Sequence, residues 1–436
     1  MFSFLFKIEF MKNPLLLVFL ILVLGCAREK PQKITSVLEY EKYLSSDEKL
    51  SIDDALNELS FWQSRLTKDS TNIISLSKIA GLHTTLFALT GEVSNVHISE
   101  KLIKKSLHLS ARNKDVYLRS LAHNYITQHR FKEAKTILDS AYGFPDNKRA
   151  TEFMLFDVLM ELGDYQKADM LLGKIKNNGD YNYLIRLSKW SDYKGNLDAA
   201  IRYMEQAKAI AESRGDISLK VWTYTNLADY YGHAGRLKEA YEHYLMTLKL
   251  QPDNAYAKKA IAWILYASEG DTSEANRILD AVSTYHKEPY YFLMKAELAK
   301  FDANLSEVRT QEENFIKALV TDDYGDMYNT SLIELYAKSD PQKALSLAKL
   351  EVANRATPEI YGILAYSQLM IEKKGEALAT IENYVVGKTF EPKTIYITAL
   401  VFKANEMLDM LPELKLELES AAFELGPVIM REIEKL

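Results

Sequence analysis

The sequence predicts an all-α fold, an α-solenoid in which stacked helical hairpins wind into a right-handed superhelix. Three observations predict it. Glycine and proline are scarce, at 17 and 10 of 436 residues, against usual shares of roughly 7% and 5%, so the chain favours long helices over tight strand hairpins. One five-residue pattern returns at nearly constant spacing, and small residues pair twelve positions apart within its copies. Apolar residues make up 47% and charged residues 26% of the chain, enough for a core and far from a disordered composition.

The first element is an export segment, residues 1–25. Pro14 to Leu24 is an unbroken apolar run behind Met11-Lys12. A membrane-spanning helix needs about 20 apolar residues and a signal core roughly 7 to 15, so length assigns the run to export. Met1 to Phe10 adds Lys7 and Glu9 ahead of a signal already complete from Met11. Val23-Leu24-Gly25 leads directly into Cys26, the chain's sole cysteine, and this resembles the lipobox at which bacterial lipoproteins are acylated and cleaved. With no second cysteine, an intramolecular disulfide is impossible. The resemblance implies a diacylated Cys26 held stably on a bilayer, as two chains achieve. In Gram-negative lipoproteins an aspartate after the cysteine marks inner-membrane retention. Ala27 stands there, which points to the outer membrane, facing the periplasm. Residues 26–48 then read as lipidated cysteine and tether, opening with the polar, aperiodic Ala27 to Lys33.

Residues 49–114 read as degenerate helical repeats, from Ser51 to Ala55 and Ile98 to Lys101, with a polar insertion around Thr90 to Val96. The regular array spans 115–392. Its pattern is a polar or capping residue, two variable positions, an acidic or polar residue, then alanine. The copies end at Ala134, Ala168, Ala200, Ala240, Ala275, Ala344 and Ala377, with Val308 filling the place between Ala275 and Ala344. Successive spacings are 34, 32, 40, 35, 33, 36 and 33, the period of a two-helix repeat. The long step into Ala240 fits a second helix extended through Ala207, Ala211 and Arg214 until Gly215-Asp216. Residues 393–436 read as a C-terminal helical cap, with Gly426-Pro427 introducing a last short helix.

The best copy, Val221 to Asn254, can be checked inside. Tyr224, Leu227, Ala228, Tyr231, Gly235, Ala240, Tyr244 and Pro252 supply large, large, small, large, turn, small, large and stop. In that order they resemble the tetratricopeptide (TPR) repeat. Two helices cross closely where both present small side chains, so Ala228 and Ala240 set the hairpin, as Ala122 with Ala134 and Ala365 with Ala377 do elsewhere. Asp164, Asn196, Asp271 and Asp340 are expected N-caps of second helices.

Chemistry is excluded more readily than it is found. A net charge of −6 is too acidic for a phosphate-backbone binder, so no nucleic acid is expected. The eight histidines have no metal spacing, no phosphate loop or nucleophile elbow occurs, and the one cysteine is committed to the lipobox. No catalytic residue, metal site or cofactor is predicted. Asp322 to Asp326 lacks the ligand spacing of a calcium loop and reads as an inter-repeat loop.

Resemblance to TPR proteins implies a concave face, lined by first helices, that binds a peptide or partner domain. By that analogy its groove positions include Arg119, His123, Asp157, Lys189, Asp192, Trp222, Thr225 and Asp229. They do not reproduce the asparagine and lysine clamp by which some TPR domains hold a terminal carboxylate. The expected function is a membrane-anchored, non-enzymatic interaction scaffold of the bacterial cell envelope, holding an envelope protein or peptide. The alternative is a nutrient-binding lipoprotein similar to the SusD-type glycan binders, which embed TPR helices but carry long loop insertions with an aromatic platform. Insertions here are short.

Overall fold

A computed structural model describes residues 33–45, 49–66 and 71–436. The export segment 1–25 and Cys26 lie outside the described residues. Ile34–Leu436 forms one unit, and it is this unit that is described below.

Two helices, α1 (Val37–Leu44) and α2 (Leu50–Ser64), precede a run of hairpins. These are α3/α4 (Ile73–Thr90, Ser94–Leu109), α5/α6 (Lys114–Thr127, Phe131–Tyr142), α7/α8 (Lys148–Glu161, Tyr165–Lys174), α9/α10 (Tyr181–Tyr193, Leu197–Arg214) and α11/α12 (Ile217–His233, Leu237–Leu250). They continue as α13/α14 (Ala255–Glu269, Thr272–Ser283), α15/α16 (Tyr290–Phe301, Leu305–Asp322), α17/α18 (Asn329–Ser339, Pro341–Asn354), α19/α20 (Pro358–Met370, Lys374–Tyr384) and α21/α22 (Pro392–Ala404, Leu411–Ser420), and α23 (Ala422–Ile433) closes the chain. No strand occurs among the described residues. From α3 onward the helices pack mainly on their hairpin partners and on the adjoining hairpins, an α-solenoid of TPR-like units.

The five-residue pattern has a physical explanation in the turn. Its first residue sits three places past the end of the first helix and donates its N–H to the carbonyl five residues back: Arg130 to Tyr125, Asp164 to Leu159, Asn196 to Ser191, Arg236 to Tyr231 and Lys373 to Gln368. This bond closes a Schellman turn. Where that residue is Asp or Asn, its side chain caps the second helix, as Asp164, Asn196, Asp271 and Asp340 all do by accepting from a backbone N–H three residues on. Where it is basic, it pairs with the glutamate of the pattern instead, Arg130 with Glu133 at 2.6 Å and Lys373 with Glu376 at 2.7 Å. The alanine that follows is fully buried at 134, 168, 200, 240, 275, 344 and 377.

Opposite these alanines stand Ala122, Ser188, Ala228 and Ala365, all without exposed surface, whereas Phe156 occupies the equivalent place in α7. Tyrosines fill the surrounding space and reach the neighbouring hairpin with their hydroxyls. Tyr231 donates to Glu205 at 2.7 Å, Tyr224 to Glu212 at 2.9 Å and Tyr266 to Glu297 at 2.9 Å. The extended second helix expected up to Arg214 is α10, stopped by Gly215 at φ 69°.

The termini differ from expectation. The stretch 26–48 is not a tether throughout, because α1 packs on the outer helices α12 and α14. Glu269 accepts from the backbone N–H groups of Ile34 and Thr35 at 2.8 and 2.7 Å, and buried Tyr40 donates to Glu274 at 2.8 Å. The polar insertion expected at Thr90 to Val96 is the turn of a hairpin, with Val93 and Val96 buried against Tyr324. The cap 393–436 does not simply face water: α23, broken at Gly426 (φ 73°, ψ 162°), packs against the first helices α11, α13, α15 and α21.

Long-range contacts explain all three departures. Beyond roughly six repeats the superhelix meets itself, and the turns that follow early first helices abut the connections that lead into late ones. Lys287 N–H donates to Thr90 O at 2.6 Å, His97 Nε2 lies 3.1 Å from Asp323 O, Asn354 donates to His129 O at 3.3 Å, and Arg355 stands 3.6 Å from Glu161. At this seam the turn glycine has a second role. A Cβ on Gly163 would lie 3.0 Å from Ala356 O, whereas one on Gly235, away from the seam, would meet nothing within 4 Å. Both glycines have positive φ, 76° and 69°, a conformation costing other residues about 1 kcal/mol. Gly235→Ala is therefore expected to lower stability by about 1 kcal/mol, and Gly163→Ala by measurably more, in urea denaturation of each variant.

Candidate functional site

The concave face between α3 and α11 encloses a cavity of about 1070 Å³. The repeat spacing builds its wall, since His123, Asp157 and Lys189 occupy the same place in successive first helices α5, α7 and α9, and Arg119 lies one turn before His123 on the same face. Of the groove positions expected from sequence, Arg119, His123, Asp157, Lys189, Asp192 and Trp222 line this one cavity.

Thr225 and Asp229 do not join them. Thr225 is buried, its hydroxyl donating to Trp222 O at 2.9 Å. Asp229 accepts from Tyr244 at 2.6 Å and Tyr256 at 2.7 Å, so its own hairpin and the following one each take one of its oxygens. Burial raises the Asp229 carboxyl against the lowering effect of those bonds. Its service is to join α11 to α12 and α13.

The wall's cations are paired along and between helices. Arg119 meets Asp115 at 2.9 Å and donates to Thr151 at 3.2 Å. Arg186 meets Asp157 at 2.6 Å and donates through Nε to Phe153 O at 2.9 Å. Lys189 meets Glu161 at 2.9 Å. Burial alone would lower the Lys189 ammonium, but Glu161 and Asp157 overcome it and hold the pKa above its usual value. Burial would likewise raise Glu161, but Lys189 and Arg355 hold it below the ordinary range. His123 is pushed down by burial, with Asp157 opposing, and is neutral at pH 7.

Other groups remain uncommitted, the His123 imidazole among them. Asp192 has no hydrogen-bond or ion-pair partner for its carboxyl among the described residues, and burial pushes it up to about 6 despite Lys189 nearby. Trp222 is 42% exposed at the cavity wall. Among the described residues no group of three or more His, Cys, Asp or Glu is placed to hold a metal ion. The wall offers oriented hydrogen-bonding groups, a neutral imidazole, an aromatic face and one lone carboxyl, an arrangement suited to binding.

Sequence reasoning missed Arg186, although it stands three residues before Lys189 and so shares its helix face. It also missed the occupant of the adjoining stretch of concave face, which is α23. Trp263 Nε1 donates to Phe423 O at 3.0 Å, and the Phe423 ring lies where a Cβ on Gly232 would come within 2.8 Å. Glu432 accepts from Tyr396 at 2.7 Å and meets Lys300 at 3.1 Å, and Arg431 donates to Phe301 O at 3.3 Å. A signal existed in the pairing of Gly426-Pro427 with an apolar helix, which a purely water-facing cap would not need.

No protein-family profile matches the sequence, and neither does any curated protein. Among solved structures, yeast Tom70 is similar at 13% identity, over 91% of this chain and 93% of that one, with a TM-score of 0.34. A signal transduction ATPase with numerous domains and a tetratricopeptide repeat sensor, from Pyrococcus horikoshii, is similar at 16% identity, over 80% of this chain and 52% of that one, with a TM-score of 0.38. A human IFIT1 dimer with PPP-AAAA is similar at 11% identity, over 79% and 96%, with a TM-score of 0.41. Likenesses this distant carry no argument about function, which must come from the chain's own residues.

Asp192 supplies a test of the cavity's electrostatics. A carboxyl whose pKa is raised by folding, here to about 6 from 3.8, leaves stability intact below pH 3.8 and subtracts from it progressively up to pH 6. Asp192→Asn is expected to leave the urea midpoint unchanged at pH 3.5 and to raise stability at pH 8 by of order 2 kcal/mol.

Proposed function

We propose that this chain is a lipid-anchored, non-enzymatic scaffold of the bacterial cell envelope, which holds a polypeptide segment of another envelope protein in the cavity between α3 and α11. The observation that carries the reading is that cavity: open, large, and walled by side chains already fixed through ion pairs. At about 1070 Å³ it reaches the upper end of small-ligand pockets, roughly 300–1,000 Å³, and suits a segment of chain. Fixed walls support binding because little side-chain entropy is then lost on association. The neighbouring seat of α23 supports a peptide occupant, since there the same kind of surface already holds a helix through one aromatic ring, a tryptophan-to-carbonyl bond and a flanking ion pair.

Cys26 supplies the anchor in this reading. The span from Cys26 to Ile34, where packing on the body begins, reaches at most ~30 Å even fully extended, so the scaffold would work close to the bilayer. Cys26→Ser is expected to move the protein from the membrane to the soluble fraction of a cell lysate.

The groove is tested by a photocrosslinking amino acid at Trp222 in the cavity and, as control, at Leu350 on outer helix α18, which is 66% exposed. A discrete adduct with one envelope protein is expected at Trp222 and none at Leu350. Identical products from both positions, or none from either, would overturn the groove assignment.

A further inference from the structure

The early and late turns of the superhelix also meet at a cavity of about 350 Å³ whose wall gathers carboxylates from separate elements. Asp192 comes from α9, Glu359 from α19, Glu391 from just before α21, Glu417 from α22 and Glu424 from α23, and His233 faces them from α11. Around it the contact between turns is made by side-chain packing. The Phe390 ring covers Gly195, leaving only 2.9 Å for a Cβ, and His233 Nε2 stands 3.8 Å from Glu424. Elsewhere the seam is joined by hydrogen bonds, such as Lys287 to Thr90. Among the described residues none joins Asp192–Gly195 to Phe390–Pro392.

Nearby cations are committed elsewhere. Lys189 pairs with Glu161 at 2.9 Å and Lys393 with Glu334 at 2.6 Å. Glu359 accepts from Thr389 at 2.6 Å. His233 is pushed down by burial and brings no charge at pH 7. The carboxylates of this cavity therefore face one another under-neutralised, across a contact that has no hydrogen bonds of its own.

We propose that this cavity is a pH-operated clasp between turns of the superhelix, closed while its raised carboxyls are protonated and opened locally, between α9 and α21, as they ionise. Like charges from five elements in one small cavity cannot all ionise without cost. Glu424 is pushed up to about 8, by burial first and then by Glu391 and Asp192. Burial pushes Asp192 up to about 6, with Lys189 opposing. Glu391 keeps surface open to the cavity but is surrounded by protein, and burial, Glu359 and Asp192 raise it against Lys393. Glu417, exposed at the rim, is raised by partial burial and by Glu413.

The sign follows from linkage. Raised carboxyls stabilise the closed contact relative to the open one only while protonated, so closure is fully favoured below the ordinary carboxylate pKa. It weakens as pH climbs toward about 8, by up to tenfold in the closed-to-open ratio per pH unit for each carboxyl. Helix α23 stays seated throughout, because Trp263 and Lys300 hold it independently of the cavity. Opening therefore widens the floor of the groove beside Asp192, the residue common to this cavity and the larger one.

The test is the distance between spin labels at exposed Asp198 and Glu382, measured on the full chain with Cys26→Ser, from pH 5 to pH 9. A single short distance is expected at pH 5, with a longer population growing up to about pH 8 at constant helical circular dichroism. In the Asp192→Asn, Glu424→Gln double variant that growth is expected to fall at least tenfold. A distance independent of pH, equal growth in the double variant, or lengthening accompanied by loss of helix would each overturn the clasp. All of these readouts are independent of whether a partner occupies the groove.

Discussion

The close crossing of two helices at paired small side chains sets the geometry on which the rest depends. Ala228 against Ala240, repeated as Ala122 against Ala134 and Ala365 against Ala377, brings each hairpin's backbones near enough for large residues to fill only the flanks. Because each unit then has the same thickness and tilt, small rotations accumulate into a superhelix. Its pitch is an indirect product of alanine, and it is shallow enough here for one turn to rest on the next. The exception in α7, where Phe156 replaces the small residue, shows that one bulky crossing can be absorbed when its neighbours keep the spacing.

Contact between turns changes what a repeat protein can do with its inner surface. An open solenoid shares stability only between neighbouring units, but this seam ties units more than 220 residues apart, as His97 with Asp323 and His129 with Asn354 show. The contacts combine polar bonds with small apolar patches, Val93 and Val96 against Tyr324 and the Phe390 ring over Gly195, and at Gly91 and Gly163 a turn glycine admits a second backbone. Where the seam is polar it tolerates local separation better than an apolar interface would, because the groups it exposes can be hydrated.

The repeat was legible in the sequence because its determinants are local. A cap, a turn residue and an alanine lie within five positions, so Asp164, Asn196, Asp271 and Asp340 could be assigned their caps without a structure. That six of the named positions would share one cavity wall was legible for a related reason, since equal repeat spacing carries a face from one first helix to the next. Asp229 was misplaced because Tyr256, which takes its second oxygen, belongs to the following hairpin. The seam was illegible throughout. It depends on pitch, which sums small rotations over many units, and nothing near Gly163 in sequence announces Ala356. The turn read as an insertion at Thr90 to Val96 failed in the same way, because the apolar residues that explain it pack on Tyr324.

Energetics divide the concave face into two unequal halves. Leu425, Val428 and Ile433 of α23 are all buried, and at roughly 1.5–3 kcal/mol for each such side chain their removal would cost far more than a typical weak partner contact returns. A ligand competing for that seat would have to replace the apolar burial, the Trp263 bond to Phe423 and the Glu432 ion pair together. The half between α3 and α11 makes no such demand, since its cations are already satisfied by Asp115, Asp157 and Glu161 and need not be stripped of a resident helix. An incoming segment there displaces water alone. Selectivity must then come from what remains uncommitted, chiefly the exposed face of Trp222, the neutral imidazole of His123 and the carboxyl of Asp192, and of these Asp192 also borders the seam.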